Sequence, residues 1–332
     1  MMNTQKKVLV CGLGSMGKRR IQILLSEYPD IELCGVDFRY DRVLETKEKY
    51  GIKVDTDFEK TFHTFKPHAV FACSPPLTHS GIVVFALENK VNTFSEINLN
   101  TNGYEKIIHL SKKNETIAFL SSTFLYRKEI LWLINKIKAN KKVSYRYHVG
   151  QYLPDWHPWE KYTDFFVADK QTNAIREIMA IEFPWMFKAF GKVVEYHVIK
   201  GRVSKLDFGY PDMFHLIFKH ETGIMGSICI DCVSVKATRK LEVYSDEIFY
   251  QWGGAPDNLE TYSAEHKKMI PVSLYDAVRQ NNQYNEFIIE NPYAEEIKDF
   301  FSMVQNRPRS LRFSYEDDMD VIELIDNIET CT

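Results

Sequence analysis

One stretch near the start restricts the fold more than any other: Lys7 to Arg20, KVLVCGLGSMGKRR. A short apolar run over 8–10 ends at Cys11. Gly12, Gly14 and Gly17 follow in the spacing GxGxxG, and a basic, then apolar, helical pattern runs over 18–25. Strand, glycine turn and helix in that order predict the first βα unit of a dinucleotide-binding fold. Gly12 makes the tight turn, Gly14 lets a pyrophosphate approach the backbone, and Gly17 lets helix and strand pack closely. Ser15 and Met16 complete the expected cradle. The helix N-terminus offers N–H groups and a positive dipole end to the phosphates. A second strand over 31–36 ends at Asp37, 20 residues after Gly17. A carboxylate there is placed to accept hydrogen bonds from an adenosine ribose and repels a 2′-phosphate, so the expected cofactor is NAD. Arg39 and Arg42, just beyond, leave NADP open as the second choice. The competing reading of each arginine is a solvated surface residue.

The order of elements extends this. Residues 1–122 alternate strand and helix, which predicts a parallel sheet with crossover helices. After that the pattern changes. A helix is expected over 127–138, a strand over 143–149, a long helix over 174–190, and strand after strand over 193–252. Closing helices are expected over 293–305 and 315–329. Residues 255–290 pattern weakly and are expected to wander over the surface. The fold class is therefore α/β: a Rossmann domain (1–122), then an α+β domain (123–332) with a large, mostly antiparallel sheet, expected to bind substrate and mediate oligomerisation.

Length and composition exclude several classes. At 332 residues, 45% hydrophobic and 26% charged, the chain suits a two-domain globular protein. A net charge of −3 offers no polycation for nucleic acid. No apolar run reaches the roughly 20 residues needed to span a bilayer. No signal-peptide pattern precedes the first strand, and the cysteines lie scattered, several in apolar runs, so a reducing cytoplasm is the expected compartment. Cys229-Ile-Asp-Cys232 spells CxxC, but inside a strand pattern and without a second pair, so no metal or redox site is expected there.

Taken together, the motifs resemble the Gfo/Idh/MocA oxidoreductase family. GLGSMGKRR is similar to its first turn. Cys73-Ser74-Pro75-Pro76-Leu77-Thr78-His79 is similar to its TPxxxH loop, Phe94-Ser95-Glu96-Ile97-Asn98-Leu99 sits where it carries CEKPL, and Phe124-Leu125-Tyr126-Arg127 is similar to its xxYRF segment. The resemblance implies a sugar-type substrate, with hydride passing to or from the nicotinamide in a cleft between domains. It also implies cofactor contacts from Cys73, Ser74, Pro75, His79 and Glu96, and a homodimer or homotetramer formed through the second sheet. A helix-capping role competes for His79. Two departures stand out. Ile97 replaces the family's lysine and Asn98 its proline. Counting back from Gly191 puts Glu177 at the family's Asp position and Ile181 at its His position. Ile97, Asn98 and Glu177 stay in the expected substrate set.

If proton handling has moved, Glu182 is the first candidate. It shares a helical stripe with Ile175, Met179, Met186 and Phe190, where an ionised carboxylate is costly unless paired or functional. A structural pairing with Arg176 or Arg127 is equally weighted. The aromatic stretch 152–162 supplies His157 as a proton switch, Asp155 and Trp156 as sugar contacts, and Trp159 as a further aromatic face. Tyr126 joins the proton-handling candidates, and Arg127 could clamp an anion or make a structural ion pair. The leading expectation is an NAD(P)-dependent oxidoreductase of a sugar, amino sugar or sugar nucleotide, in a glycan-building setting. The alternatives are a non-catalytic NAD-binding sensor, and a lyase or epimerase using NAD transiently.

Overall fold

The computed structural model describes residues 6–140, 142–157, 160–280, 287–305 and 311–331. The chain divides into two compact units. The first comprises residues 1–122 and 293–319, the second residues 123–292 and 320–332. Residues 293–319 thus belong with the first unit, which interrupts the second block expected from the sequence.

The first unit holds six strands: β1 (Lys7–Cys11), β2 (Glu32–Val36), β3 (Lys53–Asp55), β4 (Ala69–Ala72), β5 (Asn92–Ser95) and β6 (Ala118–Leu120). They pair in parallel in the order β3-β2-β1-β4-β5-β6. The order reverses between β1 and β4, and ligands of such sheets bind beyond the carboxyl ends of the strands at that switch point. The crossovers are α1 (Ser15–Glu27), α2 (Tyr40–Tyr50), α3 (Phe58–Phe65), α4 (His79–Glu88) and α5 (Tyr104–Asn114). The central strands β1 and β4 are largely apolar, as befits strands covered by helices on both faces. Phe71, Phe94 and Phe119 stack in register across β4, β5 and β6, with ring centroids 4.7 and 4.9 Å apart.

The second unit opens with α6 (Lys128–Ala139), β7 (Ser144–Gly150) and α7 (Ala174–Phe190). Seven strands follow: β8 (Val193–Gly201), β9 (Met213–His220), β10 (Met225–Asp231), β11 (Thr238–Tyr244), β12 (Phe249–Trp252), β13 (Leu259–Ser263) and β14 (Lys268–Pro271). The eight-stranded sheet runs β14-β13-β12-β11-β7-β10-β9-β8. Only its β7–β10 pairing is parallel. Strands β9 and β10 alternate buried and outward residues, so one face is packed and the other open. Residues 259–271 do not wander. They form the hairpin β13–β14 and extend the sheet, a pairing that short strands with alternating polar residues conceal. Asn173 caps α7, accepting from the Arg176 N–H at 2.8 Å. The helix continues through Pro184 to Gly191, whose φ of 92° suits glycine. Two closing helices, α8 (Asn291–Val304) and α9 (Tyr315–Thr330), complete the chain.

Candidate functional site

The glycine turn is built as its spacing demands. Gly12 has φ +97°, and a Cβ there would lie 2.4 Å from the Ser74 nitrogen. A Cβ on Gly17 would lie 1.8 Å from the Gly12 carbonyl oxygen, so only glycine lets α1 start this close to β1. Gly14 differs: its Cβ would meet nothing but the Arg42 side chain, at 3.2 Å. Protein packing explains Gly12 and Gly17 but not Gly14. A ligand backbone passing over the turn does explain it. Gly14 is also the N-cap of α1, with no side-chain cap and no acidic residue in the first turn, so the positive end of the helix faces no competing carboxylate of its own. Beyond β2, Asp37 is buried. Its Oδ2 accepts from the Leu13 N–H at 2.7 Å and its Oδ1 from the Arg39 N–H at 2.9 Å. These bonds hold the carboxylate beside the turn. The Arg39 guanidinium pairs with Asp41, its Nη2 2.6 Å from Oδ2. Arg42 Nη1 stands 3.7 Å from Asp37 Oδ2. These residues fit a dinucleotide with a free ribose diol.

Other expected cofactor contacts also serve the fold. Cys73 is buried behind the turn, its backbone N–H donating to the Cys11 carbonyl at 2.7 Å. Ser74-Pro75 leads into the start of α4. His79 is almost fully buried, with Nε2 2.5 Å from the Ser74 carbonyl and Nδ1 2.9 Å from Asn98 Oδ1. Burial lowers its pKa, outweighing these hydrogen bonds. His79 thus ties the loop after β4 to the loop after β5. Glu96 is held by Arg20, which donates from Nε to Oε1 at 2.6 Å and from Nη2 to Oε2 at 3.2 Å. The same Nη2 reaches Glu296 Oε2 at 2.8 Å, and Ser121 and the Ser122 N–H bind the other oxygen of Glu296. Burial raises the Glu296 pKa, with Arg20 opposing. Within this unit Glu96 is the counter-ion of Arg20. The Arg20 partner was hidden in the sequence, because a basic residue on α1 reads as solvent-facing. Ile97 is half-buried and Asn98 buried, both directly after β5.

In the second unit, Glu182 is a correction as well. It is buried, and its partner is neither Arg176 nor Arg127. Arg239 on β11 donates from Nε and Nη2 to Oε1 at 3.0 and 2.7 Å. Oε2 accepts from Tyr147 Oη and Trp185 Nε1, each at 2.7 Å. Four donors, two of them from the Arg239 guanidinium, occupy the acceptor positions of the carboxylate. Arg176 instead binds Asp326 and Glu329. Arg127 is buried too, bonded to Glu129 and to the Gly254 and Phe287 carbonyls, with Trp252 beneath its guanidinium. Four of its five N–H donors are thereby committed within the unit. His157 Nδ1 lies 2.9 Å from Glu160 Oε1 and its ring packs on Phe165, so it is a paired loop histidine. Tyr126 is buried in a single 3-10 turn, Thr123–Tyr126. Asp155 is exposed. Trp159 lies outside the described residues. The two cysteines of CxxC are set apart: Cys229 sits on the open face of β10, while Cys232, just past the strand's end, is fully buried.

Two polar groups in this unit stand apart. Glu177, in the first turn of α7, has Oε2 sealed from solvent with no hydrogen-bond partner among the described residues. Burial alone raises its pKa from 4.5 to about 7. Trp156 Nε1 is likewise sealed and unpartnered. Unsatisfied buried polar atoms are uncommon and mark places where a ligand or water completes the bonding.

Comparison with known proteins agrees with this geometry. Residues 6–121 match the family model described as "Oxidoreductase family, NAD-binding Rossmann fold", that of Gfo/Idh/MocA. Over this segment the chain is similar to the Gfo/Idh/MocA oxidoreductases. Myo-inositol 2-dehydrogenase of Thermotoga maritima is 31% identical over 116 residues, 34% of this chain and 35% of the relative. The chain thus matches about a third of that relative's length. Whole-chain likeness is one of fold. GenD2 from gentamicin A biosynthesis, solved with NAD, superposes with a TM-score of 0.76 at 16% identity, over 98% of this chain and 93% of that one. Levoglucosan dehydrogenase, solved with NADH and levoglucosan, gives 0.76 at 15% over 98% and 96%. UDP-N-acetylglucosamine 3-dehydrogenase from Acidithiobacillus ferrooxidans gives 0.74 at 14% over 97% and 95%. No described helix is long and apolar enough to cross a membrane.

Proposed function

We propose that this chain is an NAD-dependent oxidoreductase acting on a sugar, an amino sugar or a sugar nucleotide. The observation that carries the reading is the cradle of the first unit: a turn whose central glycine no protein contact requires, beside a buried, oriented Asp37. Relatives named for inositol, levoglucosan and a sugar nucleotide supply the substrate class. When bound, the nicotinamide ring accepts or donates the hydride. The chain's own part is to bind, orient and move protons. The N–H groups of the α1 first turn bind the pyrophosphate, and Asp37 binds the ribose hydroxyls. Asp37 favours NAD over NADP because its carboxylate repels a 2′-phosphate, and the Arg39 guanidinium is already paired with Asp41.

Of the acidic candidates, Glu177 is the one suited to proton handling. Its pKa of about 7 lets it take and return a proton at neutral pH, and its Oε2 is uncommitted. Glu182 in turn holds Arg239 and the packed face of the sheet together. The Trp156 N–H is a further donor for a hydroxyl-rich ligand. The test is reduction of NAD by a panel of polyols, sugars and sugar nucleotides. Turnover that Glu177→Gln lowers by about 100-fold or more supports the assignment. Turnover that Glu177→Gln leaves intact rejects Glu177 as the proton carrier. A second reading, a non-catalytic NAD-binding sensor, has its own support: Ile97 and Ile181 stand where the resemblance places a lysine and a histidine. Tight NAD binding without turnover on any sugar favours it.

A further inference from the structure

The open face of the eight-stranded sheet carries a second constellation, lying wholly within the second unit. Strands β7 and β10 run side by side, with His148 opposite Cys229. On the other side of β10, His215 of β9 is also opposite Cys229. Asp231 follows two residues along β10 and so projects from the same face. One donor atom from each of His148, Cys229 and Asp231 lies within 4.8 Å of the others. His148, Cys229 and His215 line a single cavity of about 410 Å³.

The cluster is a built one. Asp231 is buried, and its orientation is fixed from behind. Oδ1 accepts from the Val233 and Ser234 N–H groups at 3.0 and 2.7 Å, and Oδ2 accepts from Ser234 Oγ at 3.0 Å. Oδ2 then faces His148 Nε2 at 2.7 Å. The β7 residue opposite Asp231 is Gly150. A Cβ there would fall 2.5 Å from both Asp231 Oδ2 and Ser234 Oγ. The strand therefore carries glycine to make room for this carboxylate. Carboxylates that ligate a metal are oriented in this way, by hydrogen bonds from behind.

We propose that His148, Cys229 and Asp231 form a binding site for a divalent transition-metal ion of the zinc class. Thiolate, imidazole and carboxylate suit zinc, whereas calcium and magnesium need an all-oxygen shell of six or more ligands. Tetrahedral bonds of 2.0–2.3 Å would separate the donors by about 3.3–3.8 Å. The Nε2–Oδ2 pair therefore opens by well under about 1 Å, and the thiolate closes by a similar amount. The ion replaces the proton shared by His148 and Asp231 and the thiol proton of Cys229, and both protons leave to solvent. The fourth position falls to His215 or to water. Cys232, buried just past the strand's end, takes no part, so the CxxC spacing is incidental and only its first cysteine is a ligand. Nothing in this proposal depends on the dinucleotide or on catalysis.

The test is a cobalt titration of tag-free protein stripped with a chelator and dialysed. The expected result is one equivalent of Co²⁺ per chain, with a thiolate-to-cobalt charge-transfer band that Zn²⁺ abolishes on addition. Cys229→Ser should remove the band, and His148→Asn should weaken affinity at least tenfold. Both positions lie on the open face, and matching thermal melts of apo wild type and variants establish that the fold is kept. Cys331→Ser, at the only other cysteine that is not buried, should leave the band unchanged. No stoichiometric binding, or a band that survives Cys229→Ser, overturns the proposal.

Discussion

Glu177→Gln tests for a buried, neutral carboxyl without any knowledge of the substrate. Burial raises the Glu177 pKa from 4.5 to about 7. Between those values the folded chain keeps a proton that the unfolded chain has released, so stability falls as pH rises. The favourable contribution is fully present below pH 4.5 and lost as pH climbs through about 7. At about 1.4 kcal/mol per tenfold change in proton affinity, the whole loss is about 3 kcal/mol. Glutamine keeps the shape and the unpartnered polar head but has no proton to release. Its fixed cost is the same at every pH, so the pH dependence of the difference isolates the carboxyl. The assay is denaturant unfolding of wild type and Glu177→Gln at pH 5 and pH 8, comparing the transition that reports the second unit. The variant should gain about 2–3 kcal/mol on wild type between the two pH values. A difference that does not change with pH, or changes in the opposite sense, refutes the buried, neutral carboxyl.

Glu182→Gln should behave quite differently: it strands the Arg239 charge and costs about 3–5 kcal/mol of stability, read as a large fall in melting temperature. Arg20→Met leaves Glu96 and Glu296 facing each other without their cation, and a loss of similar size, about 3–5 kcal/mol, is expected by thermal melt of the first unit. Gly17→Ala drives a Cβ to 1.8 Å from the Gly12 carbonyl. It should abolish dinucleotide binding in calorimetry and expose the first unit to limited proteolysis. Asp37→Ser should weaken NAD binding about tenfold or more while improving NADP, narrowing the ratio of their dissociation constants.

How much of this was legible in the sequence follows from the range of each interaction. The strand–glycine turn–helix at the start and the strand–helix alternation of the first unit rest on local periodicity and short connections, and they read directly. The α7 boundaries, Ala174–Phe190, also read directly, because Asn173 caps the helix and Gly191 ends it. Partners distant in the chain did not read. Glu182 stood out correctly as a buried carboxylate on an apolar stripe, but Arg239 lies 57 residues away on a strand that only the fold brings beside α7. Arg20 looked like one more basic residue after the turn, yet Glu296 reaches it across 276 residues. Glu177 was legible only through the resemblance, at the family's Asp position; its burial was not, since an acidic residue in the first turn of a helix is ordinary. Its burial depends on chain packed around it from elsewhere. Cys229 was legible only as half of a misleading CxxC, because Cys232 lies buried just past the end of β10.

The measurement that bears most directly on the central claim is calorimetric titration of the chain with NAD and with NADP. The account predicts saturable binding of one NAD per chain, at least tenfold tighter than NADP. Binding of neither dinucleotide, or tighter binding of NADP, would contradict the reading of the glycine turn and of Asp37.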